Sequence, residues 1–305
     1  MNEGGRAARS SALATGSVGA LVEELANALS AAGRFTDREA MNEAREIVAA
    51  LYDVPRFWPS ANANASVDPD VRSRAFVAAA KRGRGAPLAY AVGRAAFRHL
   101  TLDVDERVLI PRPETEQLVE LVLERATTPL ELAVDVGTGS GAIALALASE
   151  GSFGEVLGID VSLDALNVAE ANARLLRERG ALRARVSLAH GSLLAPLRAR
   201  RQQANVIVSN PPYIAFDEAL ELPADVRNWE PPVALFSGAQ GLEATRQLIA
   251  HVPDALVSGG LLALEVDARR ASLVAECIAS DHRYDDVGVH LDLAGRERFV
   301  LATRR

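Results

Sequence analysis

Four consecutive residues, Asn210-Pro211-Pro212-Tyr213, combine the groups needed to hold a planar amino group. Asn210 offers a side-chain carbonyl and Tyr213 a flat aromatic face. The two prolines fix φ and donate no N–H, so the turn is stiff and the Pro211 carbonyl points outward. Two acceptors on the two hydrogens of an –NH2 group, beside a ring to stack on, would aim its nitrogen at an electrophile. A strand that merely ends in prolines reads equally well from the tetrapeptide alone.

A second stretch bears on the choice. Leu132–Val136 reads as a strand and runs into Gly137-Thr138-Gly139-Ser140-Gly141, after which Ile143, Leu145 and Leu147 begin a helix. Glycines in a strand–turn–helix setting let the backbone turn tightly and a nucleoside approach it. A second strand, Glu155–Ile159, ends at Asp160, about 20 residues on, where a carboxylate can grip ribose hydroxyls. Such a site could hold NAD, FAD or S-adenosylmethionine. The dinucleotide fingerprint has a third glycine where this chain has Ala142. Hydride transfer has no use for an Asn carbonyl beside an aromatic platform. Methylation of a planar nitrogen does, and S-adenosylmethionine is the expected cofactor.

These turns need a scaffold, and the chain has the length for one. It has 305 residues, 49% of them hydrophobic, enough for a real core and two domains. A formal net charge of −7 argues against stable nucleic-acid binding. The single cysteine, Cys277, suits a reducing compartment. Acidic or basic residues interrupt every apolar run, and Glu23 and Glu24 spoil a signal-peptide core. A cytoplasmic protein without membrane attachment is expected; oligomeric state is not readable. The five histidines (99, 190, 251, 282, 290) form no metal-spaced cluster, so no metal site is expected.

In chain order, residues 1 to about 16 read as a disordered tail. Val18, Leu21, Val22, Leu25 and Leu29 trace one helical face, and Thr36 and Glu39 have capping-box spacing ahead of a second helix. Pro69 opens another helix that closes near Gly83. Leu100, Leu102 and Val104 alternate with polar residues and, with Val108 and Ile110, predict a hairpin. Pro111–Glu116 opens a helix whose acids read as dipole partners. Strands and helices then alternate to the C-terminus: a strand at Asn205–Ser209, a helix at Leu242–Val257, a strand at Leu261–Val266, a helix over 268–279, and strands near 286–292 and 297–303. This predicts a doubly wound α/β fold.

Leu109–Glu116, Asp135–Gly141, Asp160, Asn210–Tyr213 and Asn228-Trp229-Glu230-Pro231-Pro232 occur together in this order. In this the chain, from roughly Pro87 onward, resembles the release factor glutamine methyltransferases. The resemblance implies a seven-stranded methyltransferase sheet with its last strand reversed, a small helical domain at 17–86 that grips the protein substrate, a linker with a β-hairpin at 87–111, and the methyltransferase domain at 112–305. It implies methyl transfer from S-adenosylmethionine to the glutamine of a Gly-Gly-Gln loop in peptide chain release factors. Gly137, Thr138, Gly139, Ser140, Gly141, Asp160, Leu193 and Asn210 would serve the cofactor. Asn210, Pro211, Pro212 and Tyr213 would bind the glutamine amide, with Asn210, Pro211 and Tyr213 in the catalytic roles. The chain departs from the family pattern in two places. Ser192 stands where an acid is usual, and Glu265–Arg270 reads Glu-Val-Asp-Ala-Arg-Arg where Glu-x-Gly-x-x-Gln is common. Asn-Pro-Pro-Tyr is shared with adenine and guanine methyltransferases of nucleic acids, which form the runner-up reading with ribosomal-protein glutamine methylation. A release-factor binder without turnover would need neither the glycine turn nor Asn210.

Overall fold

The structure, a computed structural model, describes residues 16–305. The expected tail lies outside the described residues except for Gly16. The chain divides into two compact units, one running through Val92 and the other from Gly93 to Arg305.

The first unit holds α1 (Val18–Ala31), α2 (Asp37–Tyr52), α3 (Trp58–Ala61), α4 (Pro69–Gly83) and α5 (Leu88–Val92). Ser17 caps α1 by accepting the Ala20 N–H, and Thr36 and Glu39 close the expected capping box on α2. Such caps contribute about 1 kcal/mol each. Leu21, Leu25 and Leu29 of α1 share one buried cluster with Ala44, Ile47 and Val48 of α2. Each fully buried leucine is worth roughly 1.5–3 kcal/mol. Residues 88–92, expected in the linker, coil into α5 instead. Leu88, Ala91 and Val92 fall on one helical face and join this core.

The second unit opens with a hairpin, β1 (Arg94–Phe97) and β2 (Leu100–Asp103). Sequence placed the partner of Leu100–Val104 downstream, at Val108 and Ile110. The structure puts it upstream. Arg98, at φ +53°, turns the chain from Phe97 into β2. The Val108 N–H is spent on a turn to the Asp105 carbonyl (3.1 Å), so Val108 and Ile110 form no strand.

There follow α6 (Pro113–Arg125), β3 (Leu130–Val136), α7 (Ala142–Glu150), β4 (Phe153–Asp160), α8 (Leu163–Glu178), β5 (Arg185–His190), α9 (Ala195–Ala199) and β6 (Ala204–Ser209). A 3-10 turn (Phe216–Glu221), α10 (Ala224–Trp229) and α11 (Pro232–Leu235) lead to α12 (Glu243–Ala255), β7 (Leu256–Glu265), α13 (Ala271–Ala279), β8 (Tyr284–Leu291) and β9 (Glu297–Arg304). Arg98 reaches the carboxylates of Glu120 and Glu150, which tie the hairpin to α6 and α7.

Seven strands lie in the order β5-β4-β3-β6-β7-β9-β8. All neighbours pair in parallel except β9, the last strand, which runs antiparallel to both β7 and β8. This is the doubly wound sheet with a reversed last strand. Successive residues of the central strands feed opposite faces, Ala133, Val206 and Ala263 one core and Val134, Ile207 and Leu264 the other. Helices α6, α7 and α8 cover the first face, and α12 and α13 the second. β7 starts five residues earlier than Leu261, so Gly259–Gly260 lies inside it. A Cβ at Gly260 would stand 3.1 Å from the Asn205 carbonyl of β6, at the point where the register shifts. Strand order reverses at β3, between β4 and β6, and in such sheets the ligand crevice lies outside the carboxyl ends at that point.

Candidate active site

A cavity of about 310 Å³ opens at that switch point. Gly137, Gly139, Asp160, Leu193, Asn210, Pro211 and Pro212 line it, so two turns far apart in sequence face one space.

The glycine turn after β3 is held from within. Gly137 and Gly139 sit at φ +77° and +55°, and beyond their chain neighbours none of the described residues comes within 4 Å of where a Cβ would stand on either. Only glycine adopts these angles readily, and the missing side chains leave bare backbone facing the cavity. Thr138, Ser140 and Gly141 do not line the cavity. Thr138 donates its hydroxyl to Asp135 at 2.6 Å, and Gly141 donates its N–H to the Thr138 carbonyl. The Ser140 carbonyl accepts the Asn172 side-chain N–H (2.9 Å). Asn172, buried in α8, also exchanges two hydrogen bonds with the Asp103 backbone, which locks the turn to the hairpin.

Asp135 is wholly buried at the end of β3. Its Oδ2 accepts Thr138 and the Ala144 N–H, while Oδ1 has no partner among the described residues. Burial pushes its carboxyl up to about 7 against the pull of those bonds. At the tip of β4, Asp160 accepts the Gly139 N–H on Oδ2 and the Ser162 N–H on Oδ1, both at 2.9 Å. It therefore braces the glycine turn, and each oxygen keeps a lone pair for a ligand hydroxyl. Leu193, at φ +49°, turns toward the same cavity beside Ser192.

The proline turn after β6 is held from behind. Asn210 donates its Nδ2–H to the Thr115 hydroxyl (3.1 Å), which donates to Glu265 Oε2 (2.7 Å). Three segments, from α6, β6 and β7, meet in this chain of bonds. Burial pushes the Glu265 carboxyl up to about 7, opposed by Thr115 and by Arg298 and Arg112. Tyr213 does not line the cavity. It is partly buried past Pro212, and burial pushes its phenol up to about 12. Gly241, at φ +70°, passes so close to the Tyr213 carbonyl that a Cβ there would stand 2.3 Å from it.

The acids of Pro111–Glu116 do more than face a helix dipole. Glu114 pairs with Arg296 on the β8–β9 turn (3.1 Å), and Glu116 accepts the Arg98 N–H. Ahead of them, Arg112 grips both oxygens of buried Glu230 at 2.6 and 2.7 Å. The two outlying motifs, Pro111–Glu116 and Asn228–Pro232, are thus one joint. The second departure from the family pattern also has a partner here. Arg270 reaches Glu218 (2.8 Å) and the Gln240 carbonyl (2.9 Å), tying the start of α13 to the loops around the proline turn.

Val108, Leu109, Val233 and Phe236 also wall the cavity; sequence reading placed Val108 in the hairpin and Leu109 in a motif but gave none of the four a role in the site. Apolar residues in irregular segments carry no periodicity that would mark them. A larger opening, of about 590 Å³, lies at the opposite edge of the sheet, where β3, β6 and β7 begin, and it contains none of the candidate site residues. Among the described residues no cluster of three His, Cys, Asp or Glu could hold a metal ion, and no helix is long and apolar enough to cross a membrane.

Residues 114–224 match the family model of the methyltransferase small domain. A release factor glutamine methyltransferase of Moorella thermoacetica is 42% identical over 239 residues, which is 78% of this chain and 82% of the relative. One from Deinococcus radiodurans is 40% identical over 242 residues, with the same coverage of both. Among solved structures, the hMettl16 catalytic domain in complex with an RNA hairpin superposes with a TM-score of 0.51 at 16% identity, a likeness of fold alone. It covers 78% of this chain and 82% of that one. With relatives this similar along most of both chains, the chain belongs to the release factor glutamine methyltransferase family.

Proposed function

We propose that this chain transfers a methyl group from S-adenosylmethionine to the side-chain amide nitrogen of the glutamine in the Gly-Gly-Gln loop of a peptide chain release factor. The observation that carries the reading is the meeting of the two turns in one cavity, bare glycine backbone and Asp160 on one side, Asn210 and Pro211 on the other. The residues present fit the cofactor. Gly137 and Gly139 leave backbone open to a nucleoside, Asp160 retains acceptor capacity for ribose hydroxyls, and Leu193 gives an apolar contact for the adenine. Thr138, Ser140 and Gly141 support that cradle from behind.

S-adenosylmethionine, when bound, supplies an electrophilic sulfonium methyl. An amide nitrogen is a poor nucleophile because its lone pair is delocalised into the carbonyl. Asn210 Oδ1 and the Pro211 carbonyl accept the two amide hydrogens, which draws electron density onto nitrogen and fixes its direction. Pro212 bounds the space around the amide plane, and Tyr213 backs the turn from outside the cavity. As the N–C bond forms, the S–C bonding pair stays with sulfur and the methylated nitrogen releases one of its two protons to solvent, so rate comes from positioning and preorganised dipoles, with no strong base required. Tyr213, with its phenol near 12, stays neutral and serves by shape. The helical unit through Val92 serves substrate recognition; Phe57, Phe76 and Val77 give it exposed apolar surface. The site of action is the cytoplasm, where release factors work.

Mass spectrometry of a release factor after incubation with the protein and S-adenosylmethionine tests this. One added methyl on the Gly-Gly-Gln glutamine is expected. Methylation of bare DNA or RNA at a comparable rate, or of a ribosomal protein instead, would overturn it.

A further inference from the structure

Asn210 is useful only one way round. A primary amide presents a carbonyl on one side and an NH2 on the other, and rotation by half a turn exchanges them. With its carbonyl toward the substrate it accepts an amide hydrogen. With its NH2 toward the substrate, donor faces donor. The choice is made outside the cavity. Asn210 Nδ2 lies 3.1 Å from Thr115 Oγ1, and Thr115 Oγ1 lies 2.7 Å from Glu265 Oε2. An ionised carboxylate only accepts, so the single Thr115 proton goes to Glu265 and the Thr115 lone pairs need a donor. Nδ2 is that donor, and Oδ1 is left for the cavity, where no donor among the described residues meets it.

Building on the proposed glutamine reading, we infer that Thr115 and Glu265 are positioning residues that set the direction of the hydrogen-bond chain and so turn the Asn210 carbonyl to the substrate. Neither side chain lines the cavity. Both are buried, at 5% and 1% exposure. A threonine hydroxyl in the first turn of a helix normally caps it or faces water, so its burial against a carboxylate 150 positions away needs a reason. The charged groups facing Glu265 are Arg112 and Glu114 at the start of α6 and Arg298 on β9. Burial and Glu114 push this carboxyl toward its neutral form, and the Thr115 bond and the two arginines favour the ionised state that the chain of bonds requires.

The test uses full-length parent, Thr115→Val and Thr115→Ser. Valine matches threonine in shape without the hydroxyl, and serine restores the hydroxyl. Single-turnover methylation of a release factor should fall about 10- to 100-fold in Thr115→Val and recover in Thr115→Ser. S-adenosylmethionine affinity should stay near the parent's at a temperature where all three are folded, while melting temperature should fall in Thr115→Val, whose buried Glu265 loses its donor, and recover in Thr115→Ser. A Thr115→Val protein that turns over like the parent, or a serine variant as slow as valine, would overturn the inference. A second measurement is independent of turnover. In protein labelled with nitrogen-15 at asparagine, the Asn210 side-chain NH2, assigned through Asn210→Asp, should show a hydrogen-bonded proton in the parent and lose it in Thr115→Val. A parent NH2 resonating like free asparagine overturns the inference even where Thr115→Val does not fold. A parent that shows the bonded proton yet methylates no glutamine breaks the functional reading and leaves the positioning geometry standing.

Discussion

Asp135, next to last in β3, and Glu265, last in β7, are each buried, each accept a threonine hydroxyl, and each have a carboxyl pushed up to about 7 by burial. They brace the two turns of the cavity differently. Asp135 binds Thr138, three residues on, and the Ala144 N–H, nine residues on. Its turn is a local object that one continuous segment can build. Glu265 binds Thr115, which binds Asn210, so the proline turn is set by residues 95 and 150 positions apart. In the proposed function the cofactor side presents backbone, whose direction the fold fixes. The substrate side presents a rotatable amide, which needs an external brace. The contrast separates a site that holds a ligand from one that must also aim it.

Removing Asn210 should have the largest effect. Asn210→Ala is expected to lower the methylation rate by about 10²–10³ while melting temperature and S-adenosylmethionine binding stay close to the parent's. Near-normal single-turnover rates in a folded Asn210→Ala would reduce the proline turn to a strand terminator and erase the contrast.

The two carboxylates can be told apart by pH. Folding raises the Glu265 carboxyl from an ordinary 4.5 to about 7. Its folded form holds the proton more tightly than its unfolded form. The group therefore contributes stability that is full below pH 4.5 and lost as pH rises through about 7. The whole effect is about 3 kcal/mol. Glu265→Gln removes it and leaves Asp135 as a shared background. Melting from pH 4.5 to 8 should show the variant gaining on the parent as pH rises. Methylation by the parent should rise over the same interval, because the bond chain to Asn210 needs Glu265 ionised. A stability difference that does not change with pH would mean Glu265 is ionised throughout.

On the cofactor side the key substitution is Asp160→Ala. It takes away the acceptor for Gly139 and Ser162 as well as the ribose contact. Affinity for S-adenosylmethionine by calorimetry should weaken by about 1–3 kcal/mol, roughly five- to 150-fold. Unchanged affinity would show that the glycine turn holds without its brace and that the ribose lies elsewhere.

The same local-versus-distant contrast explains what sequence could show. The capping box at Thr36 and Glu39, the glycine turn, Asp160 and the alternation of strand and helix all depend on neighbours, and each is legible in the chain. The switch-point cavity is not, because it follows from a strand order that only folding sets. The hairpin was misread because Leu100–Val104 carries an alternating pattern and Arg94–Phe97 does not, so the pattern sought its partner on the wrong side. Thr115 lay inside a quoted motif, yet nothing local distinguishes its buried hydroxyl from a helix-start residue in water. Asn172 and Gly241 act only through backbone brought near by folding, Ser140 and Asp103 for one and Tyr213 for the other.

The smallest effect is expected at Tyr213, and it sharpens the contrast most finely. If the substrate side works through the Asn210 carbonyl and the Pro211 backbone, the tyrosine contributes its ring and not its hydroxyl. The hydroxyl makes no hydrogen bond among the described residues, and burial holds the phenol neutral to about 12. An acid–base role near neutral pH would need a value several pH units lower. Tyr213→Phe should therefore cost no more than about 0.5 kcal/mol, about twofold in rate, with no change in the pH profile. Tyr213→Ala removes the partly buried ring that backs the turn and should cost more in substrate KM than in cofactor affinity. A Tyr213→Phe protein slowed as far as Asn210→Ala would give the hydroxyl a direct part in the transfer. The proline turn would then need a proton path as well as a pair of acceptors.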